Sequence, residues 1–191
     1  CDAAASDNQL TSEEKKAGWI LLFDGKSTKD WMTSTWEACP EALDDGAINP
    51  DECPKLGPSG WDLVYERPWT DFILELDFKL SPKTNSGVTL RIWPLKAMPG
   101  FDVEYNGLEV QIEDSQTADY YDTGAIYDLV RPTRNAMHPA GQWNHLRVQC
   151  QKNLIDVLLN NVQVNHMDLD QWTRPYERPD GTDHKFNIAW K

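Results

Sequence analysis

The chain has 191 residues, and its 31 acidic and 18 basic side chains give it a formal charge of −13. Such an acidic protein is a poor partner for nucleic acid or for an anionic membrane surface, because like charges repel. The length suits a single domain, and twelve Pro, eleven Gly and nine Trp favour an all-β fold over a helical bundle.

The N-terminal segment has two features. Cys1 is followed by small and polar residues, as in a bacterial lipoprotein whose signal peptide has been removed, although a sequence that merely begins at this Cys would look the same. We expect a lipid on Cys1 and a flexible tether over residues 1–12, so that a membrane is reached only through this anchor. Residues 11–17 place Thr and Ser before Glu, which predicts one short helix.

Three further cysteines indicate the redox environment. Cys39 and Cys53 lie in a stretch rich in Pro, Gly and Asp, where a disulfide would contribute about 3 kcal/mol by closing the loop. We predict that disulfide, the alternative being two free surface thiols. Cys150 ends an alternating apolar run and is predicted to be a buried, inert thiol. The disulfide and the lipid together indicate an extracytoplasmic location, either periplasmic or on the cell surface.

Strand signals dominate the rest of the chain. Residues 72–80 alternate strictly between apolar and polar side chains, which predicts a strand with one face in the core. Shorter strands are predicted at 19–23, 61–66, 88–93, 108–113, 124–129, 143–150, 154–159, 162–165 and 186–190. Strands of this length separated by turns predict an all-β fold, a two-sheet antiparallel β-sandwich or jelly roll, over residues 13–191.

Two of these strands place polar side chains opposite their apolar face. If the strands pair, that face combines Thr89, Arg91 and Trp93 with Glu109, Gln111 and Glu113. Trp can stack on a sugar ring while Gln, Glu and Arg bond its hydroxyls, so this surface suits a carbohydrate. A carboxylate beside a cation also suits acid–base chemistry. The same alternation fits an ordinary solvated sheet face with a cross-strand Arg–Glu pair.

Three further residues have both a functional and a structural interpretation. Asp114 is a base or a metal ligand, or else a turn residue, and Asn85 either contacts a substrate or forms an ordinary turn. Tyr127 donates to a substrate oxygen, or packs within the sheet. The four His show no zinc-ligand spacing, and without a GxSxG motif a Ser–His–Asp hydrolase has no support.

Five segments occur in the order seen in one known family. They are WILLFDGKSTKDW (19–31), DFILELDFKLSPKTNSGVTLRI (71–92), GLEVQIEDS (107–115), TGAIYDLVRP (123–132) and GQWNHLRVQC (141–150). Together they resemble the 3-keto-disaccharide hydrolase family, whose fold is a concanavalin/laminarinase-like jelly roll. The most specific elements are NSG-x-x-x-R, G-x-E-V-Q-I-x-D and TGAIY, and the likeness covers residues 18–191.

The resemblance implies cleavage of glycosides whose glucose C3 hydroxyl has been oxidised to a ketone by a partner glucoside 3-dehydrogenase. The ketone acidifies the C2 hydrogen, so a base can form an enolate that expels the C1 aglycone, and water can then add to the enone. Such a site needs a base, a positive group for the enolate oxygen and an acid for the leaving group. A divalent cation (Ca²⁺, Mn²⁺ or Mg²⁺) could supply the positive group.

Carried over to this chain, the resemblance implies a role for each matching residue. Glu109 is expected to be the base or a metal ligand, Asp114 a metal ligand or proton relay, and Arg91 the group that holds the enolate or a sugar oxygen. These three are the expected catalytic residues. The expected substrate-binding residues are Gln111, Asn85 and Tyr127 from these matches, with Trp93 and Glu113 added from the strand alternation.

The family pattern normally continues beyond residues 186–190 into a strand with a Gln-Asp-His-Gly motif, which this sequence lacks. Either the sequence is truncated there or this version lacks part of the site, and we therefore expect the domain to lack its last C-terminal strand or strands. The main alternative function is a non-catalytic carbohydrate-binding module of an envelope lipoprotein, since the same fold and a Trp-lined face serve lectins well. A structural or adhesion domain tethered by Cys1 is the third candidate.

Overall fold

The structure is a computed structural model that describes residues 8–33, 37–54, 62–65, 67–92 and 106–190. Cys1, Trp93 and most of the predicted tether lie outside these described residues. Two compact units are present, one formed by Cys1–Pro68 with Leu95–Val103 and the other by Trp69–Pro94 with Glu104–Lys191. Within the described residues, no helix is long and apolar enough to span a membrane.

The first unit begins with the predicted helix. Helix α1 (Ser12–Ala17) follows Thr11, whose hydroxyl accepts a hydrogen bond from the Glu14 amide at 3.2 Å. The Glu14 carboxylate in turn accepts from the Thr11 amide at 2.6 Å, which completes a capping box. Gly18, with φ of 89°, ends the helix in the left-handed region that glycine adopts without strain. Local capping therefore explains both ends of this helix.

The remaining elements of the first unit are short. Strand β1 (Trp31–Thr33) pairs antiparallel with β4 (Leu63–Tyr65), and β2 (Leu43–Asp44) forms a hairpin with β3 (Ala47–Ile48). The predicted disulfide between Cys39 and Cys53 is confirmed, and both half-cystines are buried against Ala42 and Leu63. This bond therefore gives a loop-rich segment a small core of its own.

The strand predicted at 19–23 does not form, and that prediction was wrong. Ile20 and Leu21 are 50% and 39% exposed, so the apolar run is not buried as a strand. The Leu22 carbonyl accepts a hydrogen bond from the Trp31 indole at 2.9 Å. A side-chain donor therefore satisfies this carbonyl, where a strand would have used the amide of a neighbouring strand.

The second unit contains the long strands. In chain order they are β5 (Phe72–Lys79), β6 (Asn85–Leu90), β7 (Leu108–Glu113), β8 (Trp143–Gln151), β9 (Leu154–Leu159) and β10 (Val162–Asp168). A four-stranded antiparallel sheet has the order β10-β9-β8-β5, and β6 pairs antiparallel with β7. Lys152, Asn160 and Asn161 have positive φ and form the tight turns on either side of β9. All of these pairs are antiparallel, as predicted.

The apolar faces of both sheets meet in one core. Alternate residues of β7 and β8 are buried, and they belong to the same cluster: Leu108, Val110, Ile112, Leu146, Val148 and Cys150. Cys150 is a free, buried thiol as predicted, and its burial raises its pKa. The fold is therefore mostly β, with antiparallel sheets that share a core as in a β-sandwich.

Two other predicted strands are not regular strands. Within 124–129, only Ile126 makes isolated bridges, to Val110 and to Val130, because the chain turns back at Asp128. The segment 186–190 is irregular, and its groups bond to a neighbouring loop: the Phe186 carbonyl accepts from the Tyr176 amide, and the Trp190 amide donates to the Trp172 carbonyl. Both segments are apolar because they pack on the core, which sequence periodicity alone does not distinguish from a strand.

Candidate functional site

The antiparallel pairing of β6 with β7 places several of the predicted polar residues on one face. Gly87 lies opposite Gln111, and Thr89 lies opposite Glu109. On the other side of β7, the Tyr127 amide donates to the Glu109 carbonyl at 2.9 Å. Residues paired across strands share a face. We call this surface the polar face; its members are Asn85, Gly87, Thr89, Glu109, Gln111, Glu113, Thr123, Ala125 and Tyr127.

Glu109 has a defined position on the polar face. A Cβ atom added to Gly87 would lie only 2.8 Å from Cγ of Glu109 and 2.9 Å from its carboxyl carbon. The Glu109 side chain therefore lies across Gly87, in space that any other residue would fill. The residue is half-buried there. This contact gives the NSG motif a physical role, because glycine makes room for the acid.

Gln111 lies at the centre of the polar face and is only 1% exposed. Its Nε2 donates to Oδ1 of Asn85 at 2.9 Å, which fixes the orientation of the amide. Its Oε1 is buried and has no hydrogen-bond partner among the residues that the structure describes. An unsatisfied buried acceptor costs about 1–3 kcal/mol. Such an oxygen suits a donor from outside the protein, such as a substrate hydroxyl or an ordered water.

Arg91 was predicted to lie on the polar face, but the structure places it elsewhere. Strand β6 ends at Leu90, and Arg91 adopts a φ of 55°. Its guanidinium donates to the Lys152 carbonyl, in the turn between β8 and β9, and also interacts with the Cys150 thiol. The predicted strand over 88–93 is therefore wrong at Arg91 and Ile92, and Trp93 lies outside the described residues. The backbone turn directs this cation toward the four-stranded sheet.

Asp114 closes a turn, which was the structural alternative for this residue. Its carboxylate accepts from the Lys83 amide at 2.9 Å, and its own amide donates to the Thr84 carbonyl at 3.0 Å. Glu109 precedes it by five residues of extended chain, a separation of about 17 Å at 3.4 Å per residue. Two ligands of one divalent cation must both reach within about 2.6 Å of it. The predicted metal pair of Glu109 and Asp114 therefore does not fit one ion.

The described residues of both units also contain no other cluster of metal-ligating side chains. Among those residues, no three His, Cys, Asp or Glu side chains gather closely enough to hold an ion. The predicted substrate-binding residues Asn85, Gln111, Glu113 and Tyr127 do share the polar face, whereas Trp93 lies outside the described residues. Their roles stay predictions, but their common location supports testing them together.

Two residues beside the polar face were missed by the sequence analysis. The Tyr121 ring meets the Tyr127 ring edge-on, with 5.2 Å between centroids. The Lys185 ammonium lies 4.1 Å from the centroid of the Tyr127 ring. Tyr121 comes just before the TGAIY motif and could have been included with it. Lys185 lies in a distant segment, and nothing in its local pattern indicates this contact.

A buried ion pair holds this edge of the polar face in position. Arg178 donates to the Asp128 carboxylate at 2.9 Å, and both side chains are less than one-tenth exposed. The other Asp128 oxygen accepts from the Lys185 amide at 2.8 Å. The Tyr121 hydroxyl donates to the first oxygen at 3.2 Å. Asp128 therefore fixes the turn after Tyr127 and the backbone of Lys185 together.

A separate cleft of about 350 Å³ also lies in the second unit. Its lining includes Tyr120, His166, Trp172 and Arg178, but no residue of the polar face. The Arg178 guanidinium is already committed to Asp128 and stacks 4.0 Å from the centre of the Tyr120 ring. The polar face is the stronger candidate because it combines a positioned carboxylate with an unsatisfied acceptor.

His184, next to Lys185, lies in an aromatic cluster and is 5% exposed. Its Nδ1 accepts a hydrogen bond from the Phe186 amide at 3.1 Å, and its ring is 5.7 Å from that of Trp172. Burial lowers the pKa of His184, and the positive charge of Arg178 lowers it further. The neutral imidazole is therefore the form that this packing favours.

Replacing His184 with Asn is expected to reduce the loss of thermal stability between pH 7 and pH 5. Below the ordinary His pKa of about 6.5, the unfolded chain binds a proton that the folded chain, with its lowered pKa, does not bind until a lower pH. Unfolding is therefore favoured as the pH falls through this range. Asn retains an acceptor oxygen without titrating. Melting curves at several pH values measure the effect, and an equal slope in both proteins would contradict it.

The arrangement can be compared with known proteins. The model of the 3-keto-alpha-glucoside-1,2-lyase-like domain matches residues 18–189 of this chain. A curated relative from Bacteroides thetaiotaomicron, named 3-keto-disaccharide hydrolase, is 24% identical over 209 residues. That alignment covers 98% of this chain and 72% of the relative.

Two crystal structures of proposed glycosyl hydrolases from Parabacteroides distasonis are also similar. One is 25% identical, with a TM-score of 0.73, and the match covers 85% of this chain and 77% of the other. The second is 31% identical, with a TM-score of 0.61, and the match covers 67% of each chain. These similarities support a carbohydrate-related hydrolase. Because the domain match spans nearly the whole sequence, this protein belongs to the 3-keto-alpha-glucoside-1,2-lyase-like family.

Proposed function

We propose that this protein cleaves 3-keto-glycosides by removing the C2 proton and eliminating the C1 aglycone. Family membership and the name of the Bacteroides relative support this substrate class. The observation that carries the proposal is the carboxylate of Glu109, held across Gly87, which lies opposite Gln111 and its buried, unsatisfied Oε1. A half-buried base next to an unsatisfied acceptor suits proton abstraction from a polyhydroxylated ring.

In the proposed reaction, the Glu109 carboxylate takes the hydrogen from C2. The electrons of the C–H bond form a C2–C3 double bond, and negative charge develops on the C3 oxygen. The ketone then re-forms, a C1–C2 double bond appears, and the bond from C1 to the aglycone oxygen breaks. The leaving oxygen needs a proton, for which the hydroxyl of Tyr127, the cross-strand neighbour of Glu109, is the proposed donor.

Two outcomes follow from the unsaturated ketone. If it leaves the protein, the reaction is a lyase reaction; if water adds across C1 and C2, the product is the 3-keto sugar and the reaction is a hydrolysis. In either case Gln111 would orient the ring, because its Oε1 can accept a sugar hydroxyl while its amide stays bonded to Asn85. Glu113, opposite Asn85, is the second proposed hydroxyl-binding residue.

The substrate requires a preceding oxidation at C3, which we propose a glucoside 3-dehydrogenase supplies. We also propose that the protein acts outside the cytoplasm. The disulfide between Cys39 and Cys53 supports this location, since such bonds persist in oxidising compartments.

The test is release of nitrophenol from 4-nitrophenyl 3-keto-glucoside, with the unoxidised glucoside as the matched control. We expect turnover of the keto sugar only, because an unoxidised ring has no acidified C2 hydrogen. Equal cleavage of both compounds would overturn the proposed chemistry. Binding of the unoxidised sugar without turnover of either would favour the alternative, a non-catalytic carbohydrate-binding module. Analysis of the sugar product separates the lyase from the hydrolase outcome.

A further inference from the structure

The proposed elimination requires a positive group near the C3 oxygen, and Arg91 does not meet this need. The guanidinium of Arg91 is held by the Lys152 carbonyl, in the turn between β8 and β9. Two carboxylates, Glu109 and Glu113, lie on the polar face and would oppose a developing enolate charge. A cation that acts on the reaction must therefore come from another element.

We infer that Lys185 is the catalytic electrophile, the residue whose ammonium stabilises the enolate oxygen; this inference rests on the proposed function. Its Nζ lies 4.1 Å from the centroid of the Tyr127 ring. The Tyr127 amide donates to the Glu109 carbonyl at 2.9 Å, so the two side chains are cross-strand neighbours with Cβ atoms about 5 Å apart. The ammonium therefore lies one side chain away from the base.

The backbone of Lys185 is anchored by Asp128. Its amide donates to Asp128 at 2.8 Å, and Asp128 is fixed by the buried Arg178. The Lys185 residue itself is exposed, so its side chain can be changed without opening the core. An anchored backbone with an exposed charged end is suited to a group that meets a substrate.

The assigned step moves electrons but requires no proton from Lys185. Glu109 takes the C2 hydrogen, the C–H electron pair becomes the C2–C3 double bond, and charge moves onto the C3 oxygen. Lysine carries three N–H donors, one of which would hydrogen-bond that oxygen. Because C2 and C3 are bonded to each other, the base and the electrophile must approach adjacent atoms. Glu109 on the polar face and the Lys185 ammonium over the ring of its neighbour Tyr127 are the pair assigned to those two atoms.

The experiment compares Lys185→Met, Lys185→Arg and the parent protein on 4-nitrophenyl 3-keto-glucoside. Loss of one donor to a developing oxyanion typically lowers kcat by about 100- to 1,000-fold. We expect that loss for Lys185→Met, with KM changed less than about threefold, and partial recovery for Lys185→Arg, which keeps the charge. Lys79→Met is the matched control, because the Lys79 ammonium also lies over an aromatic ring, 5.0 Å from that of Trp143, outside the polar face.

A second readout separates catalysis from folding and from the proposed function. A 3-keto sugar with hydrogen in place of the aglycone cannot eliminate, but its C2 hydrogen can exchange with D₂O through the enolate. We expect parent-catalysed exchange to fall in Lys185→Met as much as kcat does, with an unchanged melting temperature. If the parent is active and Lys185→Met keeps kcat and exchange within threefold, the role of Lys185 is wrong. A parent that catalyses neither reaction overturns the proposed function itself.

Discussion

Replacing Glu109 with Gln is expected to lower kcat on a 3-keto-glucoside by about 100- to 10,000-fold, the contribution typical of a general base. Gln preserves the size and shape of the side chain, but it replaces one acceptor oxygen with an NH₂ donor and cannot accept the C2 proton. Its fit across Gly87 should keep the fold intact, so the melting temperature should hardly change. Steady-state kinetics and thermal unfolding measure the two effects.

A substitution at Gly87 tests the position of Glu109 in addition to its charge. Gly87→Ala adds a Cβ where the Glu109 side chain lies, so the acid must move although it is still present. We expect reduced activity in this variant as well. Glu75→Gln is a suitable control, since Glu75 is also a strand residue but pairs with Arg147 on the four-stranded sheet. A fully active Glu109→Gln protein would remove Glu109 from the role of base.

Replacing Arg178 with Met is expected to be the most destabilising of these changes. The substitution leaves the buried carboxylate of Asp128 without its cation, which typically costs about 3–5 kcal/mol. In a chain of this size each kcal/mol corresponds to about 2–4 °C in Tm. The Tm should therefore fall by roughly 6–20 °C. Activity should also fall at temperatures where the variant is folded, because Asp128 positions the backbone of Lys185.

Arg174→Met provides the matched control for Arg178. Arg174 pairs with Glu177 at 2.8 Å, but its side chain is 71% exposed, and exposed pairs contribute only about 0–1 kcal/mol. The double variant Arg178→Met/Asp128→Asn removes both charges and should be less destabilised than the two single losses added together. If Arg178→Met unfolds at the same temperature as Arg174→Met, the buried pair does not have the importance assigned to it.

Much of the polar face could be predicted from the sequence, since strand geometry is local. Alternation in residues 108–113 was sufficient to separate Glu109 and Gln111 from the core. The capping box at Thr11 and the disulfide between Cys39 and Cys53 were predictable for the same reason, because their partners lie close in the chain. The family motifs indicated that this sheet face, and not another solvated one, carries the candidate site.

The predictions were wrong where contacts between residues far apart in the chain determine the backbone conformation. Nothing near Arg91 indicates that its strand ends at Leu90 or that its guanidinium meets a carbonyl 61 residues away. The apolar segment 186–190 resembled a strand, yet its hydrogen bonds go to the loop at 172–176. Periodicity records which residues are buried, but not which backbone groups become their partners.

The amino-acid sequence by itself determined the β-rich fold, the disulfide and the side of one strand on which the acid lies. Only the tertiary structure showed that the Arg91 guanidinium meets the Lys152 carbonyl and that the Lys185 ammonium lies over the Tyr127 ring. The physical reason is the range of the interactions. A strand's side-chain alternation is a property of adjacent residues, whereas Asp128 and the Lys185 amide meet across 57 residues of chain, through packing that no local pattern encodes.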